Sequence, residues 1–195
     1  MKESFLFLAD GFEEIEALAT VDILRRAGIS LRTVSITANP VVTGAHGVSV
    51  KADVIYDSTL FTDPAWLILP GGMPGAANLH DFSPLLGLLK RQFESKEGRI
   101  AAICAAPAVV LGSEGLLKGR KATCYPGFEG DLKGAEYVNE PVVVDDKFVL
   151  GNGPGNAFKF ALAIVSETLG EEKASEVASG MLLYPANVQP ENLFG

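Results

Sequence analysis

The residue best placed for chemistry is Cys104, which follows the apolar run 100–103 and precedes Ala105-Ala106-Pro107. A nucleophile between a buried strand and a helix, with small neighbours that permit a sharp turn, is typical of a nucleophile elbow. The free N–H groups that begin the following helix favour the thiolate form of such a cysteine. The pattern therefore predicts a reactive thiol, with a small buried hydrophobe as the alternative for an isolated cysteine.

A second segment with chemical potential is the pair Gly71-Gly72, which closes the apolar run 66–70. Glycines permit unusual dihedral angles and close backbone approach, so amides of this loop, together with that of Ala105, could bind a developing oxyanion. The alternative is an ordinary turn. The acids Glu13, Glu14 and Glu16 open a predicted helix, and we interpret them as a solvated first turn that the helix dipole favours.

The remaining candidates are less specific. Cys124 is expected to belong to the core or to line a pocket, and not to act as a second nucleophile. His46 and His80 are predicted to lie in exposed turns. Because neither histidine shows ligand spacing to a cysteine, we expect no metal site and no cofactor.

The elements that must position these residues follow from hydrophobic periodicity. Strands are predicted at residues 5–9, 31–36, 66–70 and 100–103, and helices at about 15–24, 84–94, 107–111, 158–169 and 172–179. Residues 39–57 indicate a hairpin or an edge strand, and residues 136–150 a hairpin. Strands alternating with helices predict an α/β fold with a mostly parallel central sheet covered on both faces. We expect a single domain over residues 1–195, with 185–195 as a loose tail.

Composition excludes several classes of function. The 195 residues carry 16 Lys and Arg against 24 Asp and Glu, a net charge of −8, which disfavours a nucleic-acid or anionic-membrane surface. No apolar stretch approaches the roughly 18 residues that a membrane span requires. The first residues lack a signal-peptide pattern, so we expect a cytoplasmic protein that does not contact membranes.

Taken together and in order, the motifs resemble those of the ThiJ/PfpI family, the superfamily of the parkinsonism-associated deglycase. The resemblance extends over about residues 4–183. Its motifs are Ala9-Asp10-Gly11-Phe12-Glu13-Glu14-Ile15-Glu16, Leu69-Pro70-Gly71-Gly72, Ala101-Ala102-Ile103-Cys104-Ala105-Ala106-Pro107, Ala122-Thr123-Cys124-Tyr125-Pro126 and Gly153-Pro154-Gly155.

The resemblance implies a flavodoxin-like three-layer sandwich that forms a homodimer. It also implies that Cys104 is the reactive residue, that Glu16 hydrogen-bonds its sulfur, and that Gly72 and Ala105 supply oxyanion amides. An ionised Glu16 would repel a thiolate, so Glu16 must be largely protonated if it is to favour one. Further candidates for lining the pocket are Gly71, Tyr125, Pro126 and His46.

The chain departs from hydrolytic relatives of this family at two positions. Tyr125 stands where some members have a histidine, and Ala105 stands where the peptidase branch has one directly after its nucleophile. A Cys-His pair therefore cannot be assigned, and a peptidase is disfavoured. No glutamine-amidotransferase elbow or phosphate-binding motif is present either.

Two functions stay open. The first is an enzyme, a lyase or hydrolase similar to glyoxalases or deglycases, that needs neither a cofactor nor glutathione. It would act on small reactive aldehydes or glycated substrates through Cys104, with Glu16 as proton shuttle. The second is an oxidative-stress redox sensor or chaperone that uses oxidation of Cys104 and has little or no turnover.

Overall fold

The fold is built around a sheet whose central strands are buried on both faces. The structure, a computed structural model, describes residues 2–183. All five residues of β1 (Ser4–Leu8) are buried, as expected for a parallel strand covered by helices on each side. β1 pairs in parallel with β2 (Leu31–Ser35) on one side and with β6 (Trp66–Leu69) on the other.

The remaining strands extend this sheet or form small accessory ladders. They are β3 (Val41–Thr43), β4 (Ser49–Lys51), β5 (Val54–Ile55), β7 (Arg99–Ile103), β8 (Lys121–Ala122), β9 (Glu136–Tyr137), β10 (Val142–Asp145) and β11 (Phe148–Gly151). Within the described residues the central sheet has seven strands in the order β10-β11-β7-β6-β1-β2-β5. Its pairings are parallel except for the edge hairpin β10–β11. The predicted mostly parallel α/β sheet is therefore confirmed.

Helices cover both faces of the sheet. They are α1 (Glu14–Arg26), α2 (Gly75–Asp81), α3 (Ser83–Glu94), α4 (Ala157–Leu169) and α5 (Glu171–Gly180), with a π-helix at Pro107–Gly112. α4 packs against α1 and α5, whereas α2 packs against α3 and the π-helix. These two groups and the sheet between them make the three-layer sandwich. No helix among residues 2–183 is long and apolar enough to span a membrane.

Most predicted elements are confirmed, and two expectations need correction: the single hairpin at 136–150 and the turn at His80. Residues 39–57 contain both a hairpin, β3–β4, and the edge strand β5. Residues 136–150 do not form one hairpin, because β9 pairs with β8 and only β10–β11 form the hairpin. The helix after Cys104 is a π-helix. The sequence analysis missed α2, and His80 lies in that helix and not in a turn. The predicted tail, 185–195, lies outside the described residues.

Candidate active site

Three adjacent strands of the sheet deliver their following loops to one place. β1, β6 and β7 are consecutive neighbours in the order β7-β6-β1. Residues 10–13 follow β1, the pair Gly71-Gly72 follows β6, and Cys104 follows β7 directly. Because parallel strands point the same way, their carboxyl ends lie at one edge of the sheet, where ligands bind in open α/β folds.

Cys104 occupies a strained turn at the end of β7. Its φ angle is +66°, in the left-handed region that non-glycine residues rarely adopt. The turn is fixed on both sides, because the Cys104 N–H donates to the Gly151 carbonyl at 2.9 Å and the Cys104 carbonyl accepts from the Tyr125 N–H at 2.8 Å. The residue is only 7% exposed. The predicted sharp bend is therefore present, and it holds a thiol that is almost completely buried.

Glu16 lies beside this thiol, fully buried in the first turn of α1. Its Oε2 accepts the Gly71 N–H at 2.8 Å, and its Oε1 is buried without a hydrogen-bond partner. A Cβ atom placed on Gly71 would lie 2.6 Å from Cβ of Cys104 and 2.9 Å from Oε2 of Glu16. Gly71 is therefore in contact with both side chains, and only a glycine fits between them.

Burial dominates the ionisation of both groups. It raises the pKa of Glu16 to about 7, although the Cys104 thiol and the Gly71 N–H act in the opposite direction. Burial also raises the pKa of Cys104 to about 12, and the negative charge of Glu16 raises it further. The N–H groups of Gly72 and Ala105 lower the pKa of Cys104. With Glu16 ionised, desolvation outweighs the amide donors, so the thiolate expected from the sequence requires a neutral Glu16.

The two groups titrate as a coupled pair. Above the pKa of Glu16 the pair carries one negative charge, which can reside on the carboxylate or on the sulfur. The two forms differ only by the transfer of one proton from Cys104 to Glu16. The form with a neutral Glu16 and a thiolate is the reactive one.

The predicted donor Gly72 lies in a tightly packed loop beside the thiol, whose pKa its N–H lowers. Gly72 has a φ angle of +86°. A Cβ atom on it would lie 2.5 Å from the Glu13 nitrogen and 2.6 Å from the Gly11 oxygen. This donor position therefore requires glycine.

The other candidates lie farther out. Tyr125 is 44% exposed, and its ring would be 3.3 Å from a Cβ atom on Gly153. Its backbone N–H donates to the Cys104 carbonyl, and this hydrogen bond joins Tyr125 to the site. Pro126 is exposed in the next turn. His46 lines a surface hollow of about 450 Å³ together with Glu13, Glu14, Ile15, Val48 and Pro154.

The first turn of α1 is not solvated, contrary to the sequence analysis. Glu13 and Glu14 are 8% and 7% exposed. The Glu13 carboxylate caps the helix by accepting the Glu16 N–H at 2.8 Å. A sequence signal existed for Glu13, since its spacing to Glu16 is that of an N-cap and an N3 residue. None existed for Glu14, whose partners lie more than 30 residues along the chain.

Glu14 holds the tip of the β3–β4 hairpin. Its Oε1 accepts the His46 N–H at 2.7 Å, and its Oε2 lies 2.8 Å from Nδ1 of His46. The ligand atoms of Glu13, Glu14 and His46 lie within 4.8 Å of one another, the spacing of a possible metal site. Because Glu13 and Glu14 already accept these hydrogen bonds, we interpret the cluster as a structural joint between the hairpin and α1.

The fold and site define a flavodoxin-like α/β protein with a buried thiol–carboxyl pair at a strand-end elbow. Residues 2–167 match the model of the DJ-1/PfpI family. The chain belongs to this family.

Several relatives resemble the chain over most of its length. Protein DJ-1 homolog B of Arabidopsis thaliana is 38% identical over 188 residues, 94% of this chain and 42% of the relative. Protein dj-1beta of Drosophila melanogaster is 38% identical over 184 residues, 93% of this chain and 97% of the relative. The chain thus spans less than half of the Arabidopsis protein but nearly all of the fly protein.

Two further similarities bear on chemistry. The glutathione-independent glyoxalase DJR-1.2 of Caenorhabditis elegans is 35% identical over 174 residues, 88% of this chain and 90% of the relative. The solved structure of oxidized DJ-1 from Toxoplasma gondii superposes with a TM-score of 0.90 at 35% identity, covering 95% of this chain and 100% of that chain.

Proposed function

We propose that the protein is a cofactor-independent enzyme that converts small α-oxoaldehydes, such as methylglyoxal or glyoxal, into hydroxy acids. The observation that carries the proposal is the placement of Cys104 and Glu16 against the same glycine, Gly71, with backbone N–H groups near enough to lower the pKa of the thiol. A nucleophile, a proton carrier and oxyanion donors are the groups that this chemistry requires.

The reaction begins when the Cys104 proton passes to Glu16 and the sulfur attacks the aldehyde carbon. Formation of the C–S bond leaves a negative charge on the former aldehyde oxygen. Glu16 returns its proton to this oxygen, which gives a hemithioacetal. The Glu16 carboxylate then removes the proton on that carbon and delivers it to the adjacent carbonyl carbon through an enediol, which leaves a thioester. Water cleaves the thioester, releasing the hydroxy acid and the thiol. An α-oxoaldehyde plus water gives an α-hydroxy acid: the aldehyde carbon is oxidised while the adjacent carbonyl carbon is reduced, so no external oxidant or reductant is needed.

The glyoxalase among the relatives supports this choice of substrate class, because it too is described as independent of glutathione. The pKa of Glu16, about 7, suits a group that must both accept and donate a proton near neutral pH. Glycated substrates carry the same carbonyl carbons and are the second substrate class that we propose.

The test is formation of lactate from methylglyoxal in the absence of glutathione, with purified wild-type, Cys104→Ser and Glu16→Gln proteins. We expect turnover by the wild type only. The matched control is Cys124→Ser, which removes the other thiol and should retain turnover. Equal rates in wild type and Cys104→Ser would exclude the mechanism.

A second candidate function is sensing of peroxide by Cys104. The relative from Toxoplasma gondii was solved in an oxidized form, which supports it. The thiolate would attack peroxide to give a sulfenate and water, and a second peroxide would give a sulfinate. The N–H groups of Gly72 and Ala105 and a neutral Glu16 would stabilise the sulfinate anion by hydrogen bonding.

Intact mass after mild peroxide treatment tests the sensor. We expect a selective gain of two oxygens on Cys104, located by peptide mapping. If the wild type shows this gain and no aldehyde turnover, the sensor replaces the enzyme as the function. Prior oxidation of Cys124 would contradict both proposals.

We also propose that the chain forms a homodimer. Exposed apolar side chains lie on α1 (Ile15 and Leu18), on the adjoining hairpin (Val48) and on α4 (Phe158), which packs against α1. Covering such a face by a second copy would remove apolar surface from water.

Light scattering should give twice the protomer mass of 20.6 kDa, and Ile15→Glu should reduce the measured mass. A wild-type monomer at micromolar concentration would contradict this proposal.

A further inference from the structure

Glu13 connects the two segments that meet at the thiol. Its backbone N–H donates to the Gly71 carbonyl at 3.0 Å, and its Oε2 accepts the Glu16 N–H at 2.8 Å. One buried residue therefore joins the loop that carries the Gly72 donor to the helix that carries Glu16. The Glu13 backbone is extended, with φ −82° and ψ 122°, as an N-cap requires.

The charge of Glu13 also acts on its neighbour. The Glu13 carboxylate lies at the N-terminus of α1, where the helix dipole interacts favourably with negative charge. The negative charge of Glu13 opposes a second negative charge on Glu16 and is one cause of the raised pKa of Glu16, after burial. The other ionisable groups at this end of α1 are Cys104, Glu14 and His46. Glu14 is paired with His46.

We propose that Glu13 is a positioning residue of the thiol site: its carboxylate holds the helix turn that carries Glu16 and shifts the shared proton toward Glu16, which increases the fraction of the pair that has its charge on Cys104. Glu13 does not touch the substrate. The inference rests on the proposed use of the Cys104 thiol, but its test needs no aldehyde turnover, so the two can fail separately.

The direction of the effect separates this role from a general influence of charge. Removing the charge of Glu13 lets Glu16 ionise more easily, which moves the proton back to sulfur and slows a reaction of the thiolate. If Glu13 acted only as a nearby negative charge on Cys104, its removal would favour the thiolate and speed the same reaction.

The experiment measures the rate of Cys104 alkylation by iodoacetamide against pH in the full chain. Glu13→Gln keeps an oxygen that can cap α1 but removes the charge. We expect its pH midpoint to fall by about half a unit and its plateau rate to fall about threefold, the factor that half a pKa unit represents. Glu13→Asp, which retains both cap and charge, should restore most of the rate. The control is Asp22→Asn, the same charge removal on the exposed part of α1, which should change neither quantity.

A double-mutant cycle completes the test. In a Glu16→Gln background, Glu13→Gln should change nothing, because the group through which it acts is already neutral. A plateau that rises or stays constant in Glu13→Gln would overturn the proposal. The same slowing in the Glu16→Gln background would also overturn it. Should Glu13→Gln unfold, Glu13→Ser supplies a neutral oxygen that can cap α1, and its plateau rate should also fall. A plateau equal to or above that of the wild type in Glu13→Ser would overturn the proposal.

Discussion

The two cysteines of this chain have similar burial but different surroundings. Cys104 is 7% and Cys124 is 1% exposed, both are free thiols, and burial raises the pKa of each to about 12. The other influences differ. Acids raise the pKa of both thiols, Glu16 at Cys104 and Glu129 with Asp131 at Cys124, but only Cys104 has N–H groups that lower it.

The comparison shows that burial alone does not distinguish a reactive thiol from a structural one. The difference is that Cys104 has a partner that can take its proton. Glu16 titrates near 7 and is in contact with the loop that touches the sulfur. Cys124 has no such partner among residues 2–183, since its charged neighbours can only oppose a thiolate.

The largest expected effect is on the reaction with an aldehyde or an alkylating agent. Cys104→Ala should abolish it, a loss of about a thousandfold or more, because the nucleophile is gone. Cys124→Ala should leave the rate within about twofold, since Cys124 lacks a proton acceptor. Peptide mapping after limited iodoacetamide treatment gives the same comparison in the wild type. Labelling of Cys124 before Cys104 in the folded protein would remove the distinction.

The next effect concerns the pH dependence. Alkylation of the wild type should rise as the pH increases through about 7, because losing the Glu16 proton creates the singly charged pair. Glu16→Gln carries no charge to raise the pKa of Cys104, so the step near pH 7 should disappear and the rate should rise continuously with pH. The measurement is the alkylation rate from pH 5 to 9. An unchanged step near pH 7 in the variant would assign the titration to another group.

A third prediction compares a glycine from each region. Gly72 and Gly127 have φ angles of +86° and +97°. A Cβ atom on Gly72 would meet backbone atoms at 2.5 and 2.6 Å, whereas nothing lies within 4 Å of one on Gly127. We expect Gly72→Ala to cost about 2–4 kcal/mol of unfolding free energy and Gly127→Ala about 1 kcal/mol. Urea unfolding measures both, and equal costs would show that the loop after β6 yields to a side chain.

The sequence predicted the architecture well because its signals are local. Apolar runs such as residues 5–9 predict buried strands, and all of β1 is buried. α2 was missed because its sequence, Gly-Ala-Ala-Asn-Leu-His-Asp, has a weak periodic pattern and no capping side chain. Its place is set by packing against α3 and the π-helix.

The site could be predicted only in part. The bend at Cys104 and the glycine requirement at Gly72 follow from residue type and order. The burial of Glu14 could not be predicted, because its partners His46 and Val48 come from a distant hairpin. The raised pKa of Cys104 was missed for a similar reason, since desolvation depends on all the surrounding elements.

The smallest expected effect is on the free energy of unfolding. Here substitution of Cys124 should have a larger effect than substitution of Cys104, the reverse of the order expected for reactivity. Cys124 is the more deeply buried thiol and packs in the core. Cys124→Ala should therefore cost about 1 kcal/mol through lost packing. Cys104→Ala should cost less, because it also removes a sulfur from contact with a buried carboxyl group in a strained turn. Urea unfolding at pH 7 with matched m-values makes this comparison. If Cys104→Ala proves the more destabilising variant, the Cys104–Glu16 contact itself stabilises the fold, and the separation between a structural and a chemical thiol must be redrawn.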